Sequence, residues 1–498
     1  MITRLFLSLL ILCLPLSAAE KKPNIILFVT DDQSPIAGCY ESPIIQTPHL
    51  DQLAKEGTVF THAYATTASC SASRSVILTG LHNHANGQYG HTHGYHKFST
   101  FESCAALSLP LQMRANGYRT AHIGKLHVVP QRVYEFDTYL KKNANSNNTP
   151  AWVDACEPLF SEKSEQPFFL CFWTIDPHRG GGEEPTAPGK LKPNRFGNPP
   201  AGESYPGTEE VTYDPAKLPI PEFLPDTPEC RQELAQYYQS VTRTDKALGR
   251  LIDALKKAGQ WDNTVIIFTA DHGMAFPGAK TTVYEAGLHV PLVVRNPHAK
   301  AKNQRVDALV SHTDLTPTIL DLAGGLNAAK QAPKKLLPVA KAGFNENHGK
   351  KLTKYHGRSW RTALDGQALK GWDQVNASHT FHEIQMYYPM RAVRDRKFKL
   401  IWNIAHQLPY PFATDLWAAS TWQAQYQKGP QAKYGKRSVE SYIHRPRFEL
   451  YDISSDPFET RNLADDPAHE KTLELYKEKI KAMQRDTDDP WIMKWKYE

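Results

Sequence analysis

The hydrophobic residues of this 498-residue chain are gathered in short uninterrupted runs, and three of the runs share one design. Each run leads directly into acidic or imidazole side chains: residues 24–30 precede Asp31 and Asp32, residues 167–175 precede Asp176 and His178, and residues 264–270 precede Asp271 and His272. Continuous apolar runs of this length are typical of strands buried in a largely parallel sheet. Because ligand sites of open α/β sheets lie beyond the carboxyl ends of the strands, the pattern predicts one site there.

Helical periodicity occupies much of the sequence between these runs. Within residues 234–257, Leu248, Leu251 and Leu255 recur at the spacing of one helix face, and Gly259 supplies a stop. Shorter helices are predicted at two further places, residues 47–57 and 314–322. Alternating strands and helices favour an α/β sandwich.

Beyond residue 375 the pattern changes. Apolar and polar residues alternate, as in antiparallel strands, in residues 390–394, 398–402 and 448–451, and a terminal helix is predicted over residues 471–485. We therefore expect a catalytic domain over residues 20–375 and a smaller C-terminal α+β subdomain with an antiparallel sheet over residues 376–498.

The first 19 residues have the layout of an export signal. Arg4 precedes an apolar stretch over residues 5–12, and Ser17, Ala18 and Ala19 supply the small residues that a signal peptidase requires. The stretch is too short to span a bilayer, and no second candidate follows it. We expect a signal peptide over residues 1–19 and an exported protein without a membrane span.

Charge and cysteine content narrow the class of protein. The 58 basic residues barely exceed the 52 acidic ones, for a net charge of +6, which argues against nucleic-acid binding. The cysteines beyond the signal peptide are scattered and lack the C-x-x-C spacing of a metal site. Export permits disulfides, but with Cys70 reserved for chemistry an odd number remains. Cys171, inside its apolar run, is the expected free thiol.

The acidic strand ends carry the first candidate chemistry. Adjacent carboxylates such as Asp31 and Asp32 repel each other unless a cation neutralises them, so a divalent metal is a natural partner. Helix capping and turn formation are the alternative, since aspartate commonly serves both. Because acidic residues recur at several strand ends, the metal site and the capping role are about equally well supported.

Cys70 carries the second candidate chemistry. It precedes Arg74 and an apolar stretch that ends at Gly80, which predicts a short helix with Cys70 at its N-terminus. Free N–H groups and the helix dipole favour an anion beside residue 70, and Arg74 lies one turn further on. A buried structural cysteine is the commoner fate of a lone Cys, and on these residues alone that interpretation prevails.

Two longer motifs reverse that interpretation. Residues 70–74 (CSASR) followed by residues 78–80 (LTG) resemble the sulfatase motif in which the cysteine is converted to formylglycine. Residues 117–127, which include Lys125 and His127, resemble the second motif of the same family. The resemblance extends from Asn24 to the C-terminus, and it implies an alkaline-phosphatase-like α/β sandwich with a largely parallel central sheet.

Within this family the chain resembles the heparan N-sulfatase branch. The matching segments lie in both expected domains: residues 79–81, 86–90, 176–179, 314–321, 388–391, 449–452 and 489–491.

The resemblance implies a role for each matched residue. Five residues would hold a calcium ion, with magnesium as the alternative: Asp31, Asp32, Asp271, His272 and the modified Cys70. One hydroxyl of the hydrated formylglycine would attack sulfur, and the second would then expel sulfate. Arg74, Lys125 and Lys280 would stabilise the charge on the sulfuryl oxygens. His127 would accept the proton of the second hydroxyl, and His178 would protonate the leaving nitrogen or oxygen.

The C-terminal subdomain supplies the expected sugar contacts. His382 and Glu383 lie where the branch has pocket residues, and Glu383 could pair with a sugar amine or hydroxyl. Arg391 could pair with a uronate or a second sulfate, with an ordinary salt bridge as the equal alternative. A further stretch is dense in histidine: His82, His84, His91, His93 and His96. It could line the pocket, but no carboxylate accompanies it, so a second metal site is not expected.

Three residues depart from the branch. Ala72 stands where the motif most often has Pro, a variant associated mainly with bacterial sulfatases, and it leaves the identity of the maturation enzyme open. His272 replaces Asn, as in other sulfatases, and Lys280 replaces Arg, which keeps the charge but loses bidentate geometry. Together with the signal peptide, Ala72 favours a bacterial enzyme that is periplasmic or secreted.

The resulting hypothesis is a sulfatase that hydrolyses the N-sulfate of glucosamine in heparan or heparin fragments. The alternatives are an O-sulfatase on a related glycan, a phosphatase- or phosphodiesterase-like relative, and a non-catalytic glycan binder if Cys70 is never converted. The motif at Cys70 argues against the phosphatase-like relative, which normally carries an unmodified Ser or Thr. The expected partners are a sulfated glycosaminoglycan oligosaccharide, a formylglycine-generating enzyme and, in a homodimer, a second copy of the chain.

Overall fold

A nine-stranded sheet lies at the centre of the computed structural model, which describes residues 21–93, 97–140, 146–180, 191–325 and 354–497. The strands are β1 (Asn24–Thr30), β2 (Thr58–Tyr64), β3 (Arg119–Gly124), β4 (Thr138–Tyr139), β5 (Phe168–Trp173), β6 (Thr264–Ala270), β7 (His289–Val290), β8 (Leu292–Arg295) and β9 (Gln304–Ser311). The expected signal peptide and His96 lie outside the described residues.

The three apolar runs are neighbouring parallel strands. The strand order is β4-β3-β5-β1-β6-β8-β2-β7, and β9 pairs with β2. β1 lies between β5 and β6 and is parallel to both, with Val29 opposite Trp173 and Thr30 opposite Ala270. β2 and β9 are also parallel, whereas β8 is antiparallel to β6 and β2. The predicted α/β class with a largely parallel sheet is confirmed, and the three strand ends lie side by side.

Hydrophobic residues cover both faces of β1. Ile25, Leu27 and Val29 enter one buried cluster, and Ile26 and Phe28 enter another. This two-sided burial explains why the strand shows no polar alternation.

Helices pack onto each of the two clusters, which completes the sandwich. The α-helices of the described ranges are α1 (Pro48–Glu56), α2 (Cys70–Thr79), α3 (Asn83–Asn86), α4 (Leu109–Ala115), α5 (Glu157–Ser161), α6 (Pro228–Lys257), α7 (Glu285–Leu288), α8 (Leu315–Leu322), α9 (Thr414–Trp417), α10 (Ser420–Tyr426), α11 (Val439–Ile443), α12 (Glu470–Asp486) and α13 (Lys494–Tyr497). Shorter 3₁₀ helices occupy Gly38–Tyr40, Glu102–Leu107, Gln131–Val133, Thr149–Cys156, Pro215–Lys217, Trp261–Asn263, His312–Asp314, Arg361–Asp365, Pro467–His469 and Pro490–Met493. Leu315 and Ile319 of α8 join the first cluster, and Leu248 and Leu251 of α6 join the second.

Helix α6 begins earlier than the predicted residue 234. The Thr227 hydroxyl accepts a hydrogen bond from the N–H of Cys230 at 3.3 Å, and Pro228 fills the first helical position, where no N–H is needed. Glu229 and Arg231 make the first turn polar, and so the apolar period that reveals the rest of the helix does not extend to it.

A second, antiparallel sheet forms in the C-terminal part, as predicted. Its strands run in the order β10 (Gln374–Phe381), β11 (Tyr387–Asp395), β12 (Phe398–Asn403) and β15 (Phe448–Asp452), and a separate ribbon consists of β13 (Lys433–Tyr434) and β14 (Arg437–Ser438). Tyr476 and Ile480 of α12 pack with Leu400 and Trp402 of β12 in one cluster. The domain boundary at residues 375/376 stays a prediction.

Two further observations concern membrane-spanning helices and the cysteines. No helix in the described ranges is long and apolar enough to cross a membrane. The cysteines of the described ranges are free thiols: Cys39, Cys70, Cys104, Cys156, Cys171 and Cys230. Cys171, the thiol expected to be free, is fully buried in β5.

Candidate active site

The carboxyl ends of β1 and β6 carry four fully buried polar side chains. Asp31 and Asp32 follow β1, and Asp271 and His272 follow β6. The N–H of Asp271 donates to the carbonyl of Thr30 at 3.0 Å, and the N–H of Asp32 donates to the Asp271 carboxylate at 2.9 Å. The pairing of two parallel strands therefore fixes these side chains at one place, where the sequence predicts a site.

Helix α2 places Cys70 beside these strand-end side chains. Cys70 is its first residue, every residue of the helix is buried, and Gly80 ends it at a φ of 63°, which glycine adopts without strain. The Cys70 Sγ lies 3.4 Å from His272 Nε2 and 3.7 Å from Asp32 Oδ1. Burial raises the pKa of the Cys70 thiol well above its ordinary value. The thiol is therefore poorly suited to act directly as a thiolate nucleophile.

These side chains fit a divalent cation. One ligating atom from each of four residues lies within 4.8 Å of the other three: Asp32, Cys70, Asp271 and His272. Carboxylate oxygens are the ligands that Ca²⁺ and Mg²⁺ prefer, and a cation would offset the repulsion between buried carboxylates. Asp31, the fifth predicted ligand, pairs with Arg74 Nη2 at 3.0 Å and with Lys125 Nζ at 2.6 Å.

Three cations surround this group of acids. Arg74 Nε donates to Asp271 Oδ2 at 3.1 Å, and Lys280 Nζ donates to Asp32 Oδ2 at 2.9 Å. Burial alone would raise the pKa of Asp31, but Lys125 and Arg74 outweigh it and hold that pKa well below its ordinary value. Asp31 is therefore an anion that keeps two cations in place, and the cations create a positive environment for an oxyanion.

Lys280 connects the acids to His178 and to a residue that the sequence does not indicate. Its Nζ lies 3.0 Å from His178 Nε2 and 3.0 Å from Oδ2 of Asp415, a residue of α9. Burial would lower the pKa of Lys280, but Asp32 and Asp415 outweigh it and raise that pKa well above its ordinary value. Burial and Lys280 lower the pKa of His178 to about 4. At neutral pH Lys280 is an ammonium ion and His178 is a neutral imidazole.

His127 lies beyond β3, two residues after Lys125, with a left-handed φ of 53°. Its ring centroid is 4.9 Å from that of His91 and 5.5 Å from that of His93. Burial and the charge of Lys125 lower the pKa of His127 well below its ordinary value, which favours the neutral imidazole.

Two of the three predicted sugar-binding residues contact residues near Cys70 or His127. His382 Nδ1 is 3.1 Å from the hydroxyl of Ser69, the residue before Cys70, and Glu383 Oε1 is 3.2 Å from Nδ1 of His93.

The third predicted sugar-binding residue, Arg391, has a different environment. It is fully buried in an ion pair with Asp489, to which its Nη2 donates at 2.9 Å, and its Nη1 donates to the His379 carbonyl at 3.0 Å. This geometry supports the alternative interpretation, a structural ion pair, and we assign Arg391 no contact with substrate.

Buried ion pairs that the sequence does not reveal hold the segment around His178. Asp176 accepts a hydrogen bond from Arg243 Nε at 2.9 Å, and Arg179 donates to Glu233 at 2.7 Å. Arg243 and Glu233 both lie on α6. Charged residues on an otherwise apolar helix face are the signal that could have indicated them.

The fold and this geometry define a class of protein: an α/β sandwich whose strand-end acids and buried cations suit a charged, oxygen-rich group. A sequence profile of the sulfatase family matches residues 23–326. The chain belongs to the sulfatase family. It is accordingly a hydrolase of sulfuric esters or sulfamides, in a family whose mechanism uses formylglycine.

Similar proteins support this assignment over most of the chain. Human N-sulphoglucosamine sulphohydrolase is 36% identical over 492 residues, which cover 97% of this chain and 94% of that protein. The N-acetylglucosamine-6-O-sulfatase of Bacteroides thetaiotaomicron is 26% identical and covers 78% of this chain and 79% of its own length. A solved 2-O glycosaminoglycan sulfatase superposes with a TM-score of 0.65 at 19% identity, covering 94% of this chain and 93% of its own. The last similarity supports the fold alone.

Proposed function

We propose that this sulfatase removes the N-sulfate group from glucosamine at the non-reducing end of heparan or heparin fragments. The observation that carries the proposal is the 36% identity to human N-sulphoglucosamine sulphohydrolase over 97% of the chain, which spans the catalytic residues and the C-terminal sheet alike. The substrate is then a sulfated glycosaminoglycan oligosaccharide.

The donor set supports a resident cation and a modified Cys70. Asp31, Asp32, Asp271 and His272 would hold Ca²⁺, or Mg²⁺ as the alternative, together with the residue at position 70. Bound there, the cation and a formylglycine hydrate supply charge compensation and an oxygen nucleophile at neutral pH.

The cations of the site would bind and orient the sulfate group. Arg74, Lys125 and Lys280 are held by buried carboxylates, so their positions do not need to reorganise when substrate enters. Preorganised donors of this kind are most effective where charge develops on oxygen in the transition state.

The two histidines would handle protons. His178 Nε2 lies 3.0 Å from Lys280 Nζ, and this position supports the proposal that His178 protonates the departing nitrogen. Because the pKa of the free imidazole is lowered to about 4, His178 would carry a proton to the leaving group only after substrate anions enter. His127 is the proposed proton acceptor for the release of sulfate.

The sugar itself would contact the C-terminal part. His382 and Glu383 follow β10, and Glu383 offers a carboxylate to an amine or a hydroxyl of glucosamine. Asp415, whose Oδ2 lies 3.0 Å from Lys280 Nζ, is a second carboxylate, and we add it to the proposed pocket.

A direct comparison of two substrates tests the specificity. N-sulfoglucosamine and 6-O-sulfated N-acetylglucosamine differ in the position of one sulfate, and released sulfate can be measured for both under the same conditions. Faster release from N-sulfoglucosamine supports the proposal. Activity only on the 6-O-sulfated sugar would support the second candidate, an O-sulfatase, which is favoured by the 26% identity to the bacterial 6-O-sulfatase.

Mass spectrometry of the tryptic peptide over residues 56–74 tests the modification. Conversion of the thiol to an aldehyde lowers the mass by about 18 Da. A preparation that releases sulfate while all of this peptide carries unmodified cysteine would refute the formylglycine mechanism.

The proposal includes export. Residues 1–19 would be removed from a protein that reaches the periplasm or the medium, and N-terminal sequencing of the exported protein should begin at residue 20. A maturation enzyme and a homodimer are the remaining proposed partners, the second of which light scattering can test.

A further inference from the structure

Three histidines form a second group of metal ligands next to the active site: His91, His93 and His127. One ring nitrogen of each lies within 4.8 Å of the other two. His91 and His93 follow α3, and His127 follows β3, so two separate segments of the fold bring them together. We propose that this group binds a transition-metal cation of the zinc class, at a site distinct from the cation held by the strand-end carboxylates.

Unpaired nitrogen atoms are the strongest indication. His91 is 3% exposed, and within the described ranges neither of its ring nitrogens has a hydrogen-bond partner. The same holds for the buried Nδ1 of His127. A buried polar atom without a partner costs about 1–3 kcal/mol, and an ion is one of the few partners that accounts for such atoms in native proteins. A cation shared by the three rings would give one nitrogen of each ring a partner, and the second ring nitrogen of His91 would remain an N–H donor.

Glu383 completes the arrangement that metal-binding histidines usually have. Its Oε1 lies 3.2 Å from Nδ1 of His93, so it can accept a hydrogen bond from that nitrogen. Nε2 of His93 then keeps the lone pair that a metal needs. From the sequence we expected no metal here because no carboxylate lies in the histidine-rich stretch. The fold supplies one from beyond β10, and the 51% exposure of His93 leaves a route for the ion from solvent.

The ligand type separates the two sites. Three imidazoles with an open fourth position suit Zn²⁺, Cu²⁺ or Ni²⁺, whereas Ca²⁺ and Mg²⁺ prefer the carboxylate oxygens at Asp32 and Asp271. The two cations would therefore not compete for one place.

Occupation of the site has a consequence that rests on the proposed function. A metal bound to His127 takes the lone pair with which that residue would accept a proton. Zinc should then inhibit sulfate release, whereas metal binding itself does not depend on that role.

Calorimetric titration of the calcium-saturated full-length enzyme with Zn²⁺ tests the site. We expect one Zn²⁺ per chain and a loss of affinity of at least about 100-fold in both His91→Gln and His93→Gln. The exposed His298, which bonds to Asn263 at 3.0 Å, provides the matched control His298→Gln with unchanged affinity. Because His93 is exposed, His93→Gln remains informative even if the buried His91→Gln variant fails to fold.

Two further variants identify where the metal sits. Cys70→Ala should retain zinc binding, and Glu383→Gln should weaken it by about 10–100-fold. The proposal is overturned if His93→Gln binds zinc as the wild type does, or if Cys70→Ala abolishes binding. Zinc that binds without inhibiting sulfate release would support the site and refute the role proposed for His127.

Discussion

The carboxylate of Glu233, near the start of α6, connects three segments of the chain beside His178. Its two oxygens accept hydrogen bonds from Arg179 at 2.7 and 2.8 Å and from the N–H of Asn194 at 3.1 Å. They also accept from the hydroxyls of Ser420 at 3.0 Å and Thr421 at 2.5 Å, which begin α10. Arg179 and Glu233 are both fully buried, and Arg179 directly follows His178 in the chain.

The change Glu233→Gln keeps the volume of this side chain but removes its charge. The amide group then places N–H donors where Arg179 and Thr421 donate, and the guanidinium loses the charge compensation that Glu233 supplies. Breaking a buried pair from one side costs about 3–5 kcal/mol, and we expect Glu233→Gln to lower the free energy of unfolding by that amount. Release of the segment that carries His178 should also reduce kcat.

Urea titration followed by tryptophan fluorescence measures the first effect. The matched control is Glu474→Gln, since Glu474 is 63% exposed and pairs with Lys477 at 2.6 Å on the surface of α12. Exposed pairs of this kind contribute about 0–1 kcal/mol, so the control should unfold almost as the wild type does. A loss below about 1 kcal/mol in Glu233→Gln would refute the reasoning, because breaking a fully buried ion pair from one side should cost more than that.

Further outcomes follow from single residues. Asp395 bonds to Lys479 at 2.7 Å, and although burial raises its pKa, Lys479 and Tyr476 outweigh it and leave that pKa at about 2, below its ordinary value of 3.8. The ionised Asp395 therefore contributes fully to stability above pH 4, and this contribution is lost as the pH falls through 2. The melting temperatures of Asp395→Asn and wild type should converge between pH 4 and pH 2. A difference that stays constant over this range would contradict the prediction. Cys70→Ala should abolish sulfate release with an unchanged circular dichroism spectrum, and any release at the wild-type rate would exclude residue 70 as the nucleophile. Asp415→Asn should free Lys280 to move and lower kcat on the order of 100-fold in a steady-state assay, and an unchanged kcat would show that Asp415 does not position Lys280. Calcium at 100 times its Kd contributes about 2.7 kcal/mol to stability, so a chelator should lower the urea midpoint of the wild type, and no change would argue against a resident cation.

The central strands could be predicted because their environment is uniform. β1, β5 and β6 are buried along their whole length, and a strand of this kind has only apolar residues to show. β2 and β9 are only partly buried, and their exposed positions follow no constant period along the strand. Both strands also contain polar residues. Such strands have no pattern that distinguishes them from loops.

The same contrast applies to the site. The acids that follow β1 and β6 could be predicted because strand ends are local features and parallel pairing brings them together. Asp415 could not, because its partner Lys280 lies 135 residues earlier and no motif marks the neighbourhood of residue 415. For Arg391 the sequence leaves a sugar contact and a salt bridge equally open, because the motif does not show that Asp489, 98 residues further on, accepts from the guanidinium.

The burial of α2 would limit the time available for the proposed conversion of Cys70 to formylglycine. Cys70 has no exposed surface once the helix has packed, so no second protein can reach its sulfur in the folded chain. Any enzyme that converts Cys70 competes with folding itself, and it succeeds only while the segment is still extended. Fast folding would then lower the yield of active molecules without lowering the yield of folded ones. The specific activity of a preparation would then measure the fraction of molecules in which Cys70 was converted before folding. Two samples with identical melting curves could therefore differ widely in catalytic activity.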